Sequence, residues 1–253
     1  MISKALLNQL SIGWIIIAIL VFFVLLKVRA PYGRHTKSTW GPMISNRLGW
    51  FLMEIPSFLL ILYFYVKSPN INTLYLNVVF WLWLFHYLHR ALIFPFMTRT
   101  KGKKIPVVIV LMGMVFNFVN ATLNGYYMAY YFSIDHLNAW VIVRLALGLT
   151  LFALGMFINI KSDYSLINLR KSSPDEYKIP TGWLFDYVSC PNYLGEILEW
   201  LGFAILAWNL PALSFFVWTA ANLIPRALAN HRWYYEHFDN YPRGRKALIP
   251  WIL

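Results

Sequence analysis

The sequence predicts an all-α integral membrane protein with seven transmembrane helices, its N-terminus outside and its C-terminus in the cytoplasm. The 253 residues are 59% hydrophobic and 19% aromatic with a mean hydropathy of +0.54, whereas soluble domains are about 45–50% apolar. Apolar runs of about 20 residues, the length that crosses a bilayer, recur along the chain. Basic residues are concentrated in alternate connections between these runs.

The predicted spans follow the apolar runs in order. Pro211 separates the last two runs, and a proline in that place is typical of a tight hairpin. The longest polar connection, residues 161–192, is too short and too mixed to fold alone. We therefore expect one polytopic membrane domain over residues 1–253. The predicted spans are residues 10–28, 48–66, 73–95, 105–132, 138–160, 193–208 and 210–230.

The distribution of charge orients these spans. All but three of the 22 lysines and arginines fall in the connections after spans one, three and five, in the adjoining span ends, or in the C-terminal tail. The exceptions are Lys4, Lys67 and Arg144. Because short cytoplasmic loops carry the excess of basic residues, the C-terminus is predicted to be cytoplasmic and the N-terminus outside.

Net charge and cysteine content restrict the partners. A net charge of +12 would fit a nucleic-acid binder, but here the basic residues flank apolar runs and form no continuous stripe. We therefore expect membrane lipids and an anionic ligand as partners, and no nucleic acid. The single cysteine, Cys190, excludes an internal disulfide framework and provides no zinc or iron–sulfur ligand set, so no metal is expected.

Glu54 is the carboxylate in GWFLMEIPSFLLILYFY, residues 49–65 of the second span. A charge at that depth costs about 2.5–3.5 kcal/mol on insertion scales, so such residues are paired or functional. Pro56 leaves the carbonyl of Leu52 without its usual helical partner, and a kink there opens room for a ligand. The alternative role for Glu54 is a structural hydrogen bond to a neighbouring helix.

Polar side chains also interrupt the third and fourth spans. Tyr87 lies near the cytoplasmic end of FWLWLFHYLHRALIF, residues 80–94, either as a site residue or as an interfacial belt tyrosine. Asn117, Asn120 and Asn124 share one helix face because they are spaced i, i+3, i+7. That face either bonds to a neighbouring helix or lines a polar cavity, and the spacing fits both.

The C-terminal half carries the densest polarity. The connection after span five mixes bases, amides and acids, which suits the phosphates, ribose hydroxyls and base edges of a nucleotide. Neither G-x-G-x-x-G nor G-x-x-x-x-G-K occurs, so a nucleotide would be held by the cytoplasmic mouth of the bundle. The polar faces of spans six and seven serve either this ligand or a structural ion-pair network. The faces are Asn192, Glu196 and Glu199 at i, i+4, i+7, and Arg226, Asn230 and Tyr234 at steps of four.

Long, ordered stretches of the chain resemble the steroid 5α-reductase family (3-oxo-5α-steroid 4-dehydrogenases). The early stretches are YGRHT at 32–36, WFLMEIPSF at 50–58, LHR after Tyr87 and NGYYMAYY at 124–131. The later ones are GMFINIKSDYSLINLRK at 155–171, YKIPTGWLFDYVSCPNYLGEILEW at 177–200 and YPRGRKALIPWIL at 241–253.

The resemblance implies that the protein uses NADPH to reduce the Δ4 double bond of 3-oxosteroids, giving 5α-3-oxosteroids by hydride addition at C5. The family pair that polarises the 3-oxo group falls on Glu54 and Tyr87. The resemblance also implies that the steroid binds mainly to spans one to four and that NADPH binds mainly to residues 159–253. The implied cofactor contacts are Arg99, Lys101, Asn159, Asp163, Arg170, Tyr177, Asn192, Glu196, Arg226, Asn230 and Tyr234.

Three positions depart from the family pattern. Met53 stands where the family often has a glutamine, which removes one expected donor to the substrate. Asn230 and Thr98 stand where animal members carry histidine and asparagine. We expect a monomer whose steroid enters from the lipid bilayer, located in the endoplasmic reticulum of a eukaryote or the inner membrane of a bacterium.

The chemistry explains the residue types. Hydride addition to an enone leaves negative charge on the carbonyl oxygen, which needs donors placed in advance in a water-poor site. A carboxyl group among apolar side chains can stay neutral and donate a hydrogen bond, so Glu54 and Tyr87 can both serve as donors.

Several other functions fit parts of the pattern. A reductase of the same build could act on enoyl thioesters or on other sterol double bonds. An isoprenylcysteine-type methyltransferase would need a groove for S-adenosylmethionine and no acid–tyrosine pair in the early spans. A non-catalytic seven-helix receptor or transporter is the alternative from another class. A retinal-type receptor is disfavoured because span seven has no core lysine, and a transporter because the chain shows no inverted repeat.

Overall fold

A computed structural model describes residues 1–98, 102–134, 137–172 and 177–253, with only the backbone described for Lys171 and Ser172. These residues are mostly helical. Two short strands, β1 (Met43–Ser45) and β2 (Lys104–Pro106), pair antiparallel with Ile44 opposite Ile105. The helices are α1 (Lys4–Lys27), α2 (Asn46–Lys67), α3 (Leu74–Tyr87), α4 (Phe94–Met97), α5 (Val107–Tyr131), α6 (Ala139–Ser172), α7 (Pro191–Ala207) and α8 (Leu210–His237).

Six segments among the described residues are long and apolar enough to cross a membrane. They are α1, α2, Leu74–Met97, α5, α6 and α8. The prediction of an all-α protein is therefore confirmed for the described residues, and the six candidate spans agree with a multi-pass membrane protein. Helix α7, which lies in the sixth predicted span, has 17 residues, fewer than the roughly 20 that a bilayer needs. The seventh crossing and the orientation of the termini stay predictions.

Four of the predicted spans differ from the observed helices. Helix α1 begins at Lys4, six residues before the predicted start of the first span. The third span is not one regular helix, because α3 ends at Tyr87 and a π-helical turn, Leu88–Ile93, precedes α4. Pro95 in the first turn of α4 has no N–H for the helical ladder, which fits a wider turn before it. Helices α6 and α8 continue to Ser172 and His237, past the predicted ends at 160 and 230. Hydropathy drops there, but neither extension contains a glycine or proline to end the helix.

The short connection predicted at Pro211 is confirmed. Helix α7 ends at Ala207, Trp208 takes a left-handed conformation (φ 49°), and α8 begins at Leu210. Asn209 caps α8, since its side-chain oxygen accepts from the backbone N–H of Ala212 at 2.9 Å. Pro211 lies in the first turn of α8, where a helix needs no N–H from it.

The first of two compact units comprises Met1–Gly13, Ala30–Val143 and Asn209–Ala212. Its centre is the packing of α2 on α5, two helices that run parallel. A Cβ atom at Gly113 would lie 2.8 Å from the Cγ and Sδ atoms of Met53, so the glycine allows close approach. This packing sets the middle of α2 against the middle of α5, where Glu54 and Asn117 lie.

The second compact unit comprises Trp14–Arg29, Arg144–Trp208 and Leu213–Leu253. Helices α6 and α7 approach through glycines on both sides. A Cβ atom at Gly148, Gly155, Gly195 or Gly202 would come within 3.0 Å of the facing backbone. Small residues at a helix contact let membrane helices pack backbone to backbone. This close contact brings the polar side chains of α6 and α7 within hydrogen-bonding range.

The C-terminal tail belongs to the second unit and docks on the segment before α7. Val188 and Lys246 form a parallel β-bridge. The backbone N–H of Ser189 donates to the carbonyl of Lys246 at 2.8 Å, and that of Cys190 donates to the carbonyl of Ala247 at 3.1 Å. The start of α7 is thereby tied to the tail.

Candidate active site

Helices α2, α3 and α5 bring together Glu54, Tyr87 and Asn117, here called the acid–amide–phenol cluster. The side-chain nitrogen of Asn117 donates to the carbonyl of Met53 at 2.7 Å and to Glu54 Oε2 at 3.1 Å. The Tyr87 hydroxyl donates to Asn117 Oδ1 at 3.0 Å. The two predicted catalytic residues therefore lie on opposite sides of one buried amide, while their catalytic roles stay predictions.

Tyr87 is an interior side chain. It is 3% exposed, whereas a belt tyrosine faces the lipid headgroups. Its ring stacks on Trp83 with centroids 5.7 Å apart and planes 20° apart. The fully buried Trp83 in turn donates from Nε1 to the Ser57 hydroxyl at 3.2 Å. Packing on both helices therefore fixes the direction of the phenol, which disfavours the belt interpretation.

Two of the three asparagines on the α5 face bond to neighbouring helices, which is one of the two roles that their spacing left open. Asn117, Asn120 and Asn124 are 4%, 0% and 2% exposed. Asn124 donates to the carbonyls of Asn120 and Pro211, and Asn120 donates to that of Phe116, so these two amides hold backbone together. Asn117 contacts the predicted catalytic pair. The spacing in the sequence predicted that the three asparagines share one face of α5. The partner of each amide could not be predicted, because it depends on how the other helices pack against that face.

Four of the predicted cofactor residues form one hydrogen-bonded network across α6 and α7. Asn159 on α6 donates to the backbone carbonyl of Asn192 at 2.9 Å and to Glu196 Oε2 at 3.4 Å. Asn192 donates from its side chain to Asp163 Oδ1 at 3.0 Å. The glycine contacts between these helices make the network possible. Glu199, the third polar residue on the α7 face, is fully buried.

The predicted polar residues of α8 contact α7 at Tyr193, a residue that was not predicted from the sequence. Arg226 donates from Nε to the Tyr193 hydroxyl at 2.8 Å, and Asn230 approaches the same oxygen at 3.4 Å. Asn230 also lies 3.7 Å from the sulfur of Cys190. Tyr193 follows Asn192 directly, so its place in the first turn of α7 was the available signal.

Aromatic rings surround the remaining predicted cofactor residues. The Arg170 guanidinium lies over the ring of Tyr177 at 5.3 Å, a favourable cation–π geometry. Tyr177 packs edge-on against Trp233 at 5.0 Å. Tyr234, next in sequence, is 3% exposed and stacks on Tyr241 at 5.1 Å. Arg170, Tyr177 and Tyr234 thus all lie in or against aromatic clusters of the second unit.

Tyr241 was not predicted as a site residue. Its hydroxyl lies 2.7 Å from Ser189 Oγ, and burial raises the pKa of this phenol above its usual value of 10.0. It therefore stays neutral at physiological pH and supports Tyr234 as an uncharged ring. Arg99 and Lys101, two predicted cofactor contacts, lie outside the residues that the structure describes.

The two clusters suit different chemistry. A buried acid, amide and phenol can offer hydrogen bonds to an oxygen that gains negative charge. The second unit combines guanidinium groups, which bind phosphate, with carboxylates and amides that bind sugar hydroxyls. With the six candidate spans, these two clusters are typical of a multi-pass membrane enzyme that acts on a carbonyl group and binds a nucleotide cofactor.

Comparison with known proteins gives the family. The family model for 3-oxo-5-alpha-steroid 4-dehydrogenase matches residues 103–253. The chain is 39% identical to steroid 5-alpha-reductase DET2 of Gossypium hirsutum over 94% of this chain and 93% of the relative. It is 41% identical to 3-oxo-5-alpha-steroid 4-dehydrogenase 1 of Rattus norvegicus, over 89% and 87%. It is 40% identical to the type 2 protein of Homo sapiens, over 87% of each chain.

The chain belongs to the steroid 5α-reductase (3-oxo-5α-steroid 4-dehydrogenase) family, a family of oxidoreductases. The predicted family and the prediction of an enzyme are confirmed. The methyltransferase, receptor and transporter alternatives are set aside by this membership.

Proposed function

We propose that the protein reduces the Δ4 double bond of a 3-oxosteroid with NADPH and forms the 5α-3-oxosteroid. The observation that carries this proposal is the acid–amide–phenol cluster in the interior of a chain of this family. Glu54 and Tyr87 are two possible donors whose positions are fixed by the same amide. A ketone oxygen placed against both would be polarised for reduction.

The proposed roles of Glu54 and Tyr87 follow from where charge develops. When bound, NADPH supplies the hydride, which adds to C5. The electron pair of the Δ4 bond then shifts through the enone onto the 3-oxygen, and a proton added at C4 restores the ketone. Neutral Glu54 and the Tyr87 hydroxyl donate to the 3-oxygen while it is negative. Such donors in a water-poor site favour the transition state over the bound substrate.

We propose that the second unit holds the cofactor. The phosphates would be bound by four basic residues, Arg170, Arg226, Arg99 and Lys101. Because the 2′-phosphate of NADPH adds negative charge, this basic set would bind NADPH more tightly than NADH. Asn159, Asp163, Asn192 and Glu196 would bind ribose hydroxyls and amide edges. Their common network supports this assignment, since one ligand can contact several of its members. Tyr177, Asn230 and Tyr234 complete the proposed contacts.

The proposed route for the steroid is the lipid phase. Many large apolar side chains are exposed on the helices, among them Leu20 and Met112, each at 61%. An apolar substrate dissolved in the bilayer would reach the protein through such surfaces. We propose a monomer in the endoplasmic reticulum of a eukaryote or in the inner membrane of a bacterium.

The test is a reductase assay on purified protein in detergent. NADPH is supplied with testosterone or progesterone, and both NADPH absorbance and saturated product are followed. We expect Glu54→Gln and Tyr87→Phe to lower kcat by about 10²–10³-fold, the scale of a lost oxyanion donor, and to bind NADPH as the parent does. Turnover at the parent rate in both variants would refute the assigned roles. NADPH consumption with enoyl thioesters alone would refute the steroid substrate.

A further inference from the structure

We propose that Asn117 is a positioning residue that sets which atoms of Glu54 and Tyr87 face the substrate oxygen. This inference rests on the proposed function, since it assigns Asn117 to the same reaction. The amide touches both predicted donors and the backbone of α2, and it is 4% exposed. Three described hydrogen bonds fix it in the interior.

The backbone contact determines which way the amide points. A backbone carbonyl can only accept a hydrogen bond, so the Asn117 atom 2.7 Å from the carbonyl of Met53 must be the NH₂ group. The oxygen of the amide therefore faces Tyr87. Exchanging the two atoms would place oxygen against oxygen at Met53.

This orientation assigns the proton of Glu54. The second hydrogen of the NH₂ group points to Glu54 Oε2 at 3.1 Å. In a neutral carboxyl group, one oxygen carries the proton and donates, and the other accepts. Because the unprotonated oxygen of a carboxyl group is the stronger acceptor, the contact of Oε2 with Asn117 favours the proton on Oε1. Asn117 thereby makes Oε1 the donor atom of Glu54.

The same amide gives Tyr87 a contact that changes during the reaction. The Tyr87 hydroxyl donates to the neutral Asn117 Oδ1 at 3.0 Å. A ketone that gains negative charge is a stronger acceptor than an amide, since hydrogen bonds to ionised groups are about twice as strong. The phenol proton therefore turns to the substrate as the charge develops. A contact strengthened only in the transition state raises kcat more than it lowers KM.

The chain offers an internal rescue. The side chain of Met53 packs on Gly113, one helical turn before Asn117 on the same face of α5. A glutamine at position 53 has nearly the length of methionine and would carry a second amide to that face. If the amide is what matters, this new amide should replace part of the lost function.

The experiment compares kcat, KM for testosterone, NADPH affinity and melting temperature in detergent. We expect Asn117→Leu to lower kcat by about 10- to 100-fold, the scale of a misplaced group, with KM and NADPH affinity little changed. The double variant Met53→Gln/Asn117→Leu should regain kcat, by a larger factor over Asn117→Leu than Met53→Gln alone gains over the parent. Asn124→Leu, which removes a buried amide bonded to the carbonyls of Asn120 and Pro211, is the control. It should lower the melting temperature and keep kcat.

The outcomes separate the two proposals. A parental kcat in Asn117→Leu, or the same kcat loss in Asn124→Leu, would overturn the positioning role. So would a double variant that is no faster than Asn117→Leu. If Asn117→Leu does not fold, Asn117→Asp, which has the same shape and lacks the NH₂ donor, takes its place. A parental kcat in it overturns the role. The proposed function fails instead if the parent protein, supplied with NADPH and testosterone, forms no 5α-reduced steroid.

Discussion

At the residue scale, the direction of the Tyr87 phenol depends on a hydroxyl on another helix. Trp83 stacks on Tyr87 and donates to Ser57 on α2, and neither Trp83 nor Ser57 is exposed. A buried hydrogen bond that loses its acceptor costs about 1–3 kcal/mol, because the donor gives up water without a replacement. Ser57 therefore supports the candidate active site through Trp83 and has no proposed chemical role itself.

We expect Ser57→Ala to lower the free energy of unfolding by about 1–3 kcal/mol and to reduce kcat. Thermal denaturation in detergent and the steroid assay measure the two effects. Ser11→Ala is the matched control, since the fully buried Ser11 hydroxyl bonds to the carbonyl of Leu7 in its own helix. A serine of that kind contributes little. Equal losses in both variants would show that Ser57 has no particular link to Tyr87.

Tyr241 carries a prediction about pH. Burial raises the pKa of its phenol above 10.0, so the folded state holds the proton more tightly than the unfolded state does. The resulting stability is present below the unfolded pKa and is lost as pH rises past it. We expect the melting temperature of the parent to fall more steeply between about pH 9 and pH 11 than that of Tyr241→Phe. Identical slopes in the two proteins would contradict this.

At the element scale, the contact between α6 and α7 decides whether the predicted cofactor residues meet. The glycines at 155 and 195 lie directly against the facing backbone. This close approach brings Asn159 on α6 within hydrogen-bonding distance of Glu196 on α7. Overpacking such a contact costs about 1–3 kcal/mol and moves backbone.

We expect Gly195→Ala to weaken NADPH binding by at least about tenfold, because about 1.4 kcal/mol of lost contact has that effect. Fluorescence titration with NADPH measures the change. Gly13→Ala is the control: Gly13 lies in α1 and has nothing within 4 Å of its Cβ position. An NADPH affinity in Gly195→Ala equal to that of the control would show that close packing of α6 and α7 does not shape the cofactor site.

The elements could be predicted from the sequence to different degrees. Hydropathy predicted α1, α2 and α5, because a bilayer core forces apolar runs of that length into helices. It placed the ends of α6 and α8 too early, because polar turns can continue a helix where no glycine or proline stops it. The π-helical turn after Tyr87 could not be predicted from hydrophobic periodicity, and Pro95 was its one indication in the sequence.

The same contrast holds within the candidate site. Glu54 could be singled out because an acid in an apolar run is costly, and the family resemblance supplied Tyr87 as its partner. The contacts of Asn117 and Tyr193 could not be predicted. Each contact depends on which face of one helix packs against another helix. Sequence spacing shows which residues share a face of one helix, but not which helix that face contacts.

At the scale of the whole molecule, the described residues form a helical membrane protein, and the basic residues predict how it is oriented. Three of the 22 lysines and arginines lie on the side assigned to the exterior. We expect a green fluorescent protein fused after Leu253 to fluoresce when expressed in a bacterial inner membrane, and alkaline phosphatase in the same place to be inactive. Active phosphatase there would reverse the orientation.

The central claim is that a donor pair on α2 and α3 polarises a steroid ketone for hydride addition. The most direct test follows deuterium from NADPH labelled at its reactive carbon into the product by mass spectrometry and NMR. We predict one deuterium at C5 of a 5α-3-oxosteroid with the parent protein, and almost none with Glu54→Gln in the same time. Deuterium at another carbon, or equal labelling by the variant, would contradict the account.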